Sequence, residues 1–194
     1  MRLCVFCGSS SGVRPIYTQA AKSLGALLAS RGIPLVYGGG KVGLMGVLAD
    51  AVLAAQGRVV GVIPRFLLER EVGHGGVSEL HVVGTMHDRK ALMASLSSAF
   101  VALPGGLGTF EELCEVLTWS ILGLHDPPKP CALLNTDGYY NPLLKMFDQA
   151  LAEGFLLPQH RHVVVTADSP EELLDSLAAW QPPVVKKWLE PGLE

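Results

Sequence analysis

The stretch AFVALPGGLGTFEELCEVLTW, residues 99–119, decides the fold. It opens with an unbroken apolar run, as in a strand covered on both faces. Pro104 and three glycines in four positions then turn the chain. After them, apolar residues recur at helical spacing, at Phe110, Leu113, Val116 and Leu117. Strand, glycine turn and helix make one unit of a sheet built by repetition.

The same unit recurs on both sides. RLCVFCG (2–8), PLVYGGG (34–40), RVVGVIP (58–64) and ELHVVGT (79–85) read as strands one to four. KPCALLNT (129–136) and HVVVTAD (162–168) read as strands six and seven. Helical patterns lie between them. One runs from Pro15, suited to a first turn, to Gly32, and another is GLMGVLADAVLAAQG (43–57). MHDRKALMASLSS (86–98), YNPLLKMFDQALAEG (140–154) and SPEELLDSLAAW (169–180) follow, the last with a serine cap. Strands alternating with helices imply parallel strands joined by right-handed crossovers. Seven units are too few for an eight-fold barrel. The expected fold is α/β, a single-domain, Rossmann-like, doubly wound sheet over residues 1–181. Residues 182–194 are expected to form a tail that docks on the body or on a neighbour.

Composition agrees with this class. The chain has 194 residues, 49% of them apolar and 17% charged, with a net charge of −3. That balance suits one buried-sheet domain. It gives no basic excess for a nucleic-acid backbone. No apolar run approaches the roughly 18 residues of a membrane span, and the N-terminal apolar stretch is short for a signal peptide. The chain reads as cytoplasmic, with no nucleic-acid or membrane partner. Cys4 and Cys7 stand three apart on one apparent strand, so they face opposite ways and read as buried thiols. His160 and His162 lack metal-ligand spacing, and no metal site is expected.

In a doubly wound sheet, ligands sit beyond the carboxyl ends of the strands. Three such ends are rich in small residues: CGSSSG (7–12), YGGGKVGLMG (37–46) and LPGGLGT (103–109). Taken singly, each loop is a tight turn. Three on one sheet edge point to a phosphorylated ligand held by backbone N–H groups and helix N-termini. Strand one has no G-x-G-x-x-G after it, and strand two ends in Tyr37 and Gly38 rather than an acid, which argues against NAD. A P-loop signature is absent as well.

Two charged clusters remain. Thr109 and Glu112 have the spacing of a capping box, and Glu111 would complement a helix dipole in a first turn. Glu112 would equally be held at the sheet edge beside the phosphate loop. In MHDRK (86–90), Arg89 and Lys90 sit near a helix start, the unfavourable end for cations. That placement fits either a functional pair or ion pairs with nearby carboxylates.

MHDRK followed by PGGLGTFEE resembles the Lonely Guy family, the cytokinin riboside 5′-monophosphate phosphoribohydrolases, whose signature P-G-G-x-G-T-x-x-E matches Pro104 to Glu112. GSSSG, YGGGKVGLMG, Glu71-Val72, ELHVV, EVLTW and GYYNPLL match in order. The resemblance implies Arg89 and Glu112 as the catalytic pair. It implies substrate contacts at Glu71, Lys90, Thr118 and the loop of Gly105, Gly106, Leu107, Gly108 and Thr109, with Gly39 and Gly43 completing the phosphate pocket. Leu107 stands where many relatives carry Tyr or Phe. The resemblance also implies a homodimer with no cofactor. Members have been labelled lysine decarboxylases, yet Lys22, Lys41, Lys90 and Lys129 lie in no context suited to pyridoxal. The expected reaction is hydrolysis of the N-glycosidic bond of AMP or an N6-modified analogue to free base and ribose 5-phosphate. The alternative is a non-catalytic nucleotide-binding or carrier protein on the same fold, which would have little use for a carboxylate near the sugar.

Overall fold

The computed structural model of the chain describes residues 1–70 and 73–182. Seven strands form one parallel sheet: β1 (Leu3–Phe6), β2 (Leu35–Tyr37), β3 (Val59–Pro64), β4 (Glu79–Val83), β5 (Ala99–Ala102), β6 (Cys131–Leu134) and β7 (Val164–Ala167). Their order is β4-β3-β2-β1-β5-β6-β7. The helices are α1 (Pro15–Ser30), α2 (Gly43–Ala54), α3 (Arg65–Leu68), α4 (Met86–Leu96), α5 (Leu107–Ile121), α6 (Asn141–Ala152) and α7 (Pro170–Ala179). The expected doubly wound α/β sheet is therefore present. The short α3 was not foreseen, and β2 stops at Tyr37, so Gly38, Gly39 and Gly40 leave the sheet.

The chain winds outward from β1 to β4, then returns to the other side of β1 with β5. That reversal places the switch point between β1 and β5. The two strands are paired from Leu3↔Ala99 to Phe6↔Ala102, so they end level. The loops after them, Cys7–Gly12 and Leu103–Gly106, diverge to opposite faces and leave a crevice between.

Each face of the sheet has its own core. Leu3, Val5, Tyr37 and Val101 pack with Leu24 and Leu28 of α1 and Leu48 of α2. Cys4, Phe6, Val36 and Phe100 pack with Met93 of α4 and Leu113 and Val116 of α5. Alternation along β1 sends Cys4 to one core and Cys7 to the other. All four cysteines are free, and burial pushes the Cys4 and Cys7 thiols up.

One local expectation is corrected. Thr109 and Glu112 do not form a capping box. Helix α5 starts at Leu107, with Gly106 as an extended N-cap (φ −95°, ψ −156°) and no side-chain cap. The chain passes from loop into helix two residues before Thr109, so both residues lie inside the helix. Glu111 is likewise past the first turn rather than in it. A capping box does form at α4, where Thr85 accepts from the Asp88 N–H and the Asp88 carboxylate accepts from the Thr85 N–H. Ser169 caps α7 as expected. Of the expected tail, residues 183–194 lie outside the described residues.

Candidate active site

The turn from β5 into α5 is best read by following its backbone groups. The Leu103 carbonyl accepts from the Tyr140 hydroxyl at 2.6 Å. The Pro104 carbonyl accepts from the Gly8 N–H at 3.1 Å. The Gly105 carbonyl accepts from the Tyr139 hydroxyl at 2.5 Å, and the Gly106 carbonyl from the Phe110 N–H at 3.1 Å. Every carbonyl of the turn is thus engaged. The N–H groups of Gly105, Gly106, Leu107, Gly108 and Thr109 have no hydrogen-bond partner among the described residues. Open donors at a helix N-terminus make an anion site by both geometry and dipole.

The crevice holds two adjoining cavities. One, of about 250 Å³, is lined by Cys7, Gly38, Met45, Arg89, Thr109 and Glu112 among others. The other, of about 260 Å³, is lined by Gly8, Ser10, Tyr17, Pro104, Gly105 and Tyr139 among others. Ser9 and Gly106 belong to the walls of both. The β5–α5 loop therefore stands between a side rich in glycine and serine and a side that carries the charged pair.

Arg89 reaches the first cavity from α4. It is only 8% exposed, and it makes no salt bridge among the described residues. One terminal nitrogen donates to the Gly38 carbonyl at 3.1 Å, while Nε is buried without a partner among the described residues. A buried guanidinium left short of an anion is an expensive arrangement unless a ligand supplies one. Gly38 makes room for it, since a Cβ there would stand 1.9 Å from that same nitrogen. Glu112, 9% exposed, faces the cavity from α5 with no hydrogen bond to another described residue. Burial pushes its carboxyl up to about 7, against the pull of Arg89 toward the charged form. A carboxyl poised near neutrality is suited to take or give a proton.

The expected contacts divide. Gly106, Leu107, Gly108 and Thr109 line the cavity with Arg89 and Glu112, and Gly105 lines its neighbour. Leu107 is 85% exposed at the rim. Lys90 is buried against Glu111 at 2.5 Å and Glu115 at 3.0 Å, so the ion-pair reading accounts for it. Thr118 donates to the Cys114 carbonyl and lines a separate hollow with Leu117 and Phe147. Gly43, at φ +60°, packs its Cα against Ser9 and Ser10, where a Cβ would lie 2.2 Å from the backbone. It shapes the CGSSSG loop from behind. Gly39 lines neither cavity: it packs against Ile63 and Leu80, and its carbonyl accepts from the His74 N–H. Glu71 is outside the described residues. Sequence reasoning missed Gly38, Ser9 and Tyr139 as site residues, although each lies in a stretch it had singled out.

Comparison with known proteins follows the same lines. A family model described as possible lysine decarboxylase matches residues 45–177. A probable cytokinin riboside 5′-monophosphate phosphoribohydrolase of Oryza sativa subsp. japonica is 54% identical over 181 residues, covering 93% of this chain and 73% of its own. A cytokinin riboside 5′-monophosphate phosphoribohydrolase of Arabidopsis thaliana is 52% identical, covering 93% and 84%. The chain belongs to the Lonely Guy family. Its fold also matches the Moco carrier protein of Chlamydomonas reinhardtii, with a TM-score of 0.70 at 22% identity over 92% of this chain and 95% of that one. The molybdenum cofactor binding protein of Rippkaea orientalis gives 0.68 at 24% identity over 92% and 95%. At that identity the likeness is one of fold alone. Among the described residues no lysine lines the cavity of Arg89 and Glu112, where the decarboxylase description of the family model would need one. Lys90 is committed to two carboxylates, Lys129 donates to the Ala94 carbonyl at 2.7 Å, and neither lines the cavity of Arg89 and Glu112.

Proposed function

We propose that this Lonely Guy family member hydrolyses the N-glycosidic bond of a purine nucleoside 5′-monophosphate, AMP or an N6-modified analogue, to free base and ribose 5-phosphate. The observation that carries the reading is the buried Glu112 carboxyl, near neutrality and unpaired among the described residues, facing the same cavity as a guanidinium that finds no anion among them. Beside them stand five open N–H donors that fit a phosphate. Cleavage builds positive charge on the sugar. Ionised Glu112 stabilises that charge or takes a proton from the attacking water. Arg89 holds the anionic substrate and favours the ionised form of Glu112. Glu111 also lines the cavity but is paired with Lys90, which leaves Glu112 the one unpaired carboxyl there among the described residues, and the reading does not invoke the paired-carboxylate scheme of glycosidases.

A carrier reading on the same fold explains the phosphate loop but gives Glu112 no task, since a carboxylate close to a phosphate weakens binding. Chromatography of AMP and N6-alkyl AMP after incubation tests the proposal. Free base and ribose 5-phosphate are expected, and adenosine is expected to react far more slowly, because phosphate binding helps to position the sugar. Equal kcat/KM for AMP and adenosine would remove the phosphate loop from the mechanism. Release of free base absent from every nucleotide tried would leave a binding protein. The same reading has the protein acting as a homodimer in the cytoplasm. Exposed apolar residues on and after α5 and α6, and a free exposed thiol at Cys114, support it.

A further inference from the structure

GYYNPLL, residues 138–144, matches the family pattern without an assigned task. Its two tyrosines supply the hydroxyls that engage the phosphate loop. Tyr140 is buried in the core and holds the Leu103 carbonyl where β5 ends. Tyr139 is half-buried in the cavity wall and holds the Gly105 carbonyl within the loop itself. We propose that Tyr139 is a positioning residue for the substrate's phosphate: it draws the Gly105 carbonyl away from the anion and so keeps the loop's N–H groups turned toward it.

In a trans peptide the carbonyl and the following N–H point in opposite directions. Holding the Gly105 oxygen on Tyr139 therefore fixes the Gly106 N–H on the far side. Nothing else holds this carbonyl among the described residues. Gly105 and Gly106 have no side chains to resist rotation of the plane, and a rotated carbonyl would present oxygen to the phosphate in place of a donor. The tyrosine is itself held firmly. Its ring meets Tyr17 edge-on at 5.7 Å and Tyr140 at 5.1 Å. It follows a turn in which Asp137 and Gly138 have φ of +53° and +72°. Asp137 pairs with Arg14, ahead of α1, and Asn135 accepts from the Tyr140 N–H at 2.7 Å. The segment after β6 thus props the loop after β5 across the cavity.

This rests on the crevice being a nucleotide phosphate site. Tyr139→Phe keeps the ring contacts and removes only the hydroxyl. Calorimetry with ribose 5-phosphate should show affinity at least tenfold weaker than in the parent, the scale of a lost hydrogen bond to a charged group. KM for AMP should rise in step, with kcat within about twofold. Inhibition by free adenine and the melting temperature should hold. Ribose 5-phosphate affinity within twofold of the parent would overturn the proposal, as would equal losses for ribose 5-phosphate and adenine. A parent that binds ribose 5-phosphate yet releases no free base from AMP or N6-alkyl AMP would defeat the hydrolase reading, and the calorimetry would still decide the role of Tyr139. A parent that does not bind ribose 5-phosphate would defeat both.

Discussion

Among the described residues Glu112 gains neither a hydrogen bond nor an ion pair for being buried, and burial lifts its carboxyl to about 7. The cost has a defined pH dependence. A carboxyl raised above its ordinary value of 4.5 leaves stability whole below that value and removes it as pH climbs through 7. The loss is on the order of 3 kcal/mol. Glu112→Gln cannot ionise, so it should match the parent at pH 4.5 and exceed it in stability at pH 8, read by urea unfolding at both. Its kcat should nevertheless fall roughly a hundredfold or more, the usual scale for removing such a group. AMP affinity should hold or rise as repulsion of the phosphate is relieved. The kcat/KM of the parent should climb with pH to a plateau above about 7, and the variant should lack that limb. Undiminished turnover in Glu112→Gln would leave Glu112 without a chemical task. At Gly38 the expectation is steric. A methyl group 1.9 Å from the Arg89 guanidinium must displace it, so Gly38→Ala should lower kcat/KM at least tenfold while the fold survives. Normal kinetics in that variant would mean that the seat of Arg89 is unimportant.

The element scale shows why some residues were legible and others were not. Strand–glycine–helix repetition predicts every strand of the sheet, because continuous apolar runs and helical periodicity are local signals. The start of α5 was misplaced because T-x-x-E spacing is also an ordinary helical interval, and here it falls inside a helix that begins at Leu107. Arg89 and Lys90 are adjacent in sequence, yet the turn of α4 sends Lys90 to two glutamates of α5 and Arg89 into the cavity. No local pattern separates them. Gly38 and Tyr139 act through partners 51 and 34 residues away, at Arg89 and Gly105, so their roles appear only once the sheet is assembled. The capping box that starts α4 has a consequence for the site. Arg89 stands one turn from Thr85, and its N–H donates to the Thr85 carbonyl at 3.1 Å. Thr85→Ala should cost about 1 kcal/mol, or about 2–4 °C in Tm for a chain of this size. Its loss of kcat/KM should be smaller than that of Arg89→Ala, which removes the guanidinium itself. A Thr85→Ala enzyme as inactive as Arg89→Ala would show that the start of α4 is part of the chemistry.

For the whole molecule, the doubly wound sheet concentrates the three small-residue loops and the charged pair at one edge, around the switch between β1 and β5. The outer side of α5 and α6 is a different kind of surface. No residue of α6 is fully buried. Met146 is 59% exposed and Phe155 90%, with Leu122 and Leu124 exposed after α5. An apolar hollow of about 170 Å³, lined by Leu117, Ile121, Phe147 and Leu156, joins the two helices. A patch of this kind is more than a monomer needs to show to water. In a two-fold dimer the same patch serves both copies, so one substitution is felt twice. Phe155 makes the sharpest probe, because a side chain so exposed contributes little to the fold of one chain. Burying it is worth about 2 kcal/mol per copy. Phe155→Lys should therefore weaken association by roughly 4 kcal/mol, close to a thousandfold in Kd. Light scattering of the parent at micromolar protein should give twice the 20.6 kDa chain mass. Phe155→Lys should shift toward the single chain under the same conditions, with its melting curve at high protein concentration little changed. A parent of single-chain mass would contradict the homodimer. A dimeric parent whose Phe155→Lys variant stays dimeric would move the contact to another face of the molecule.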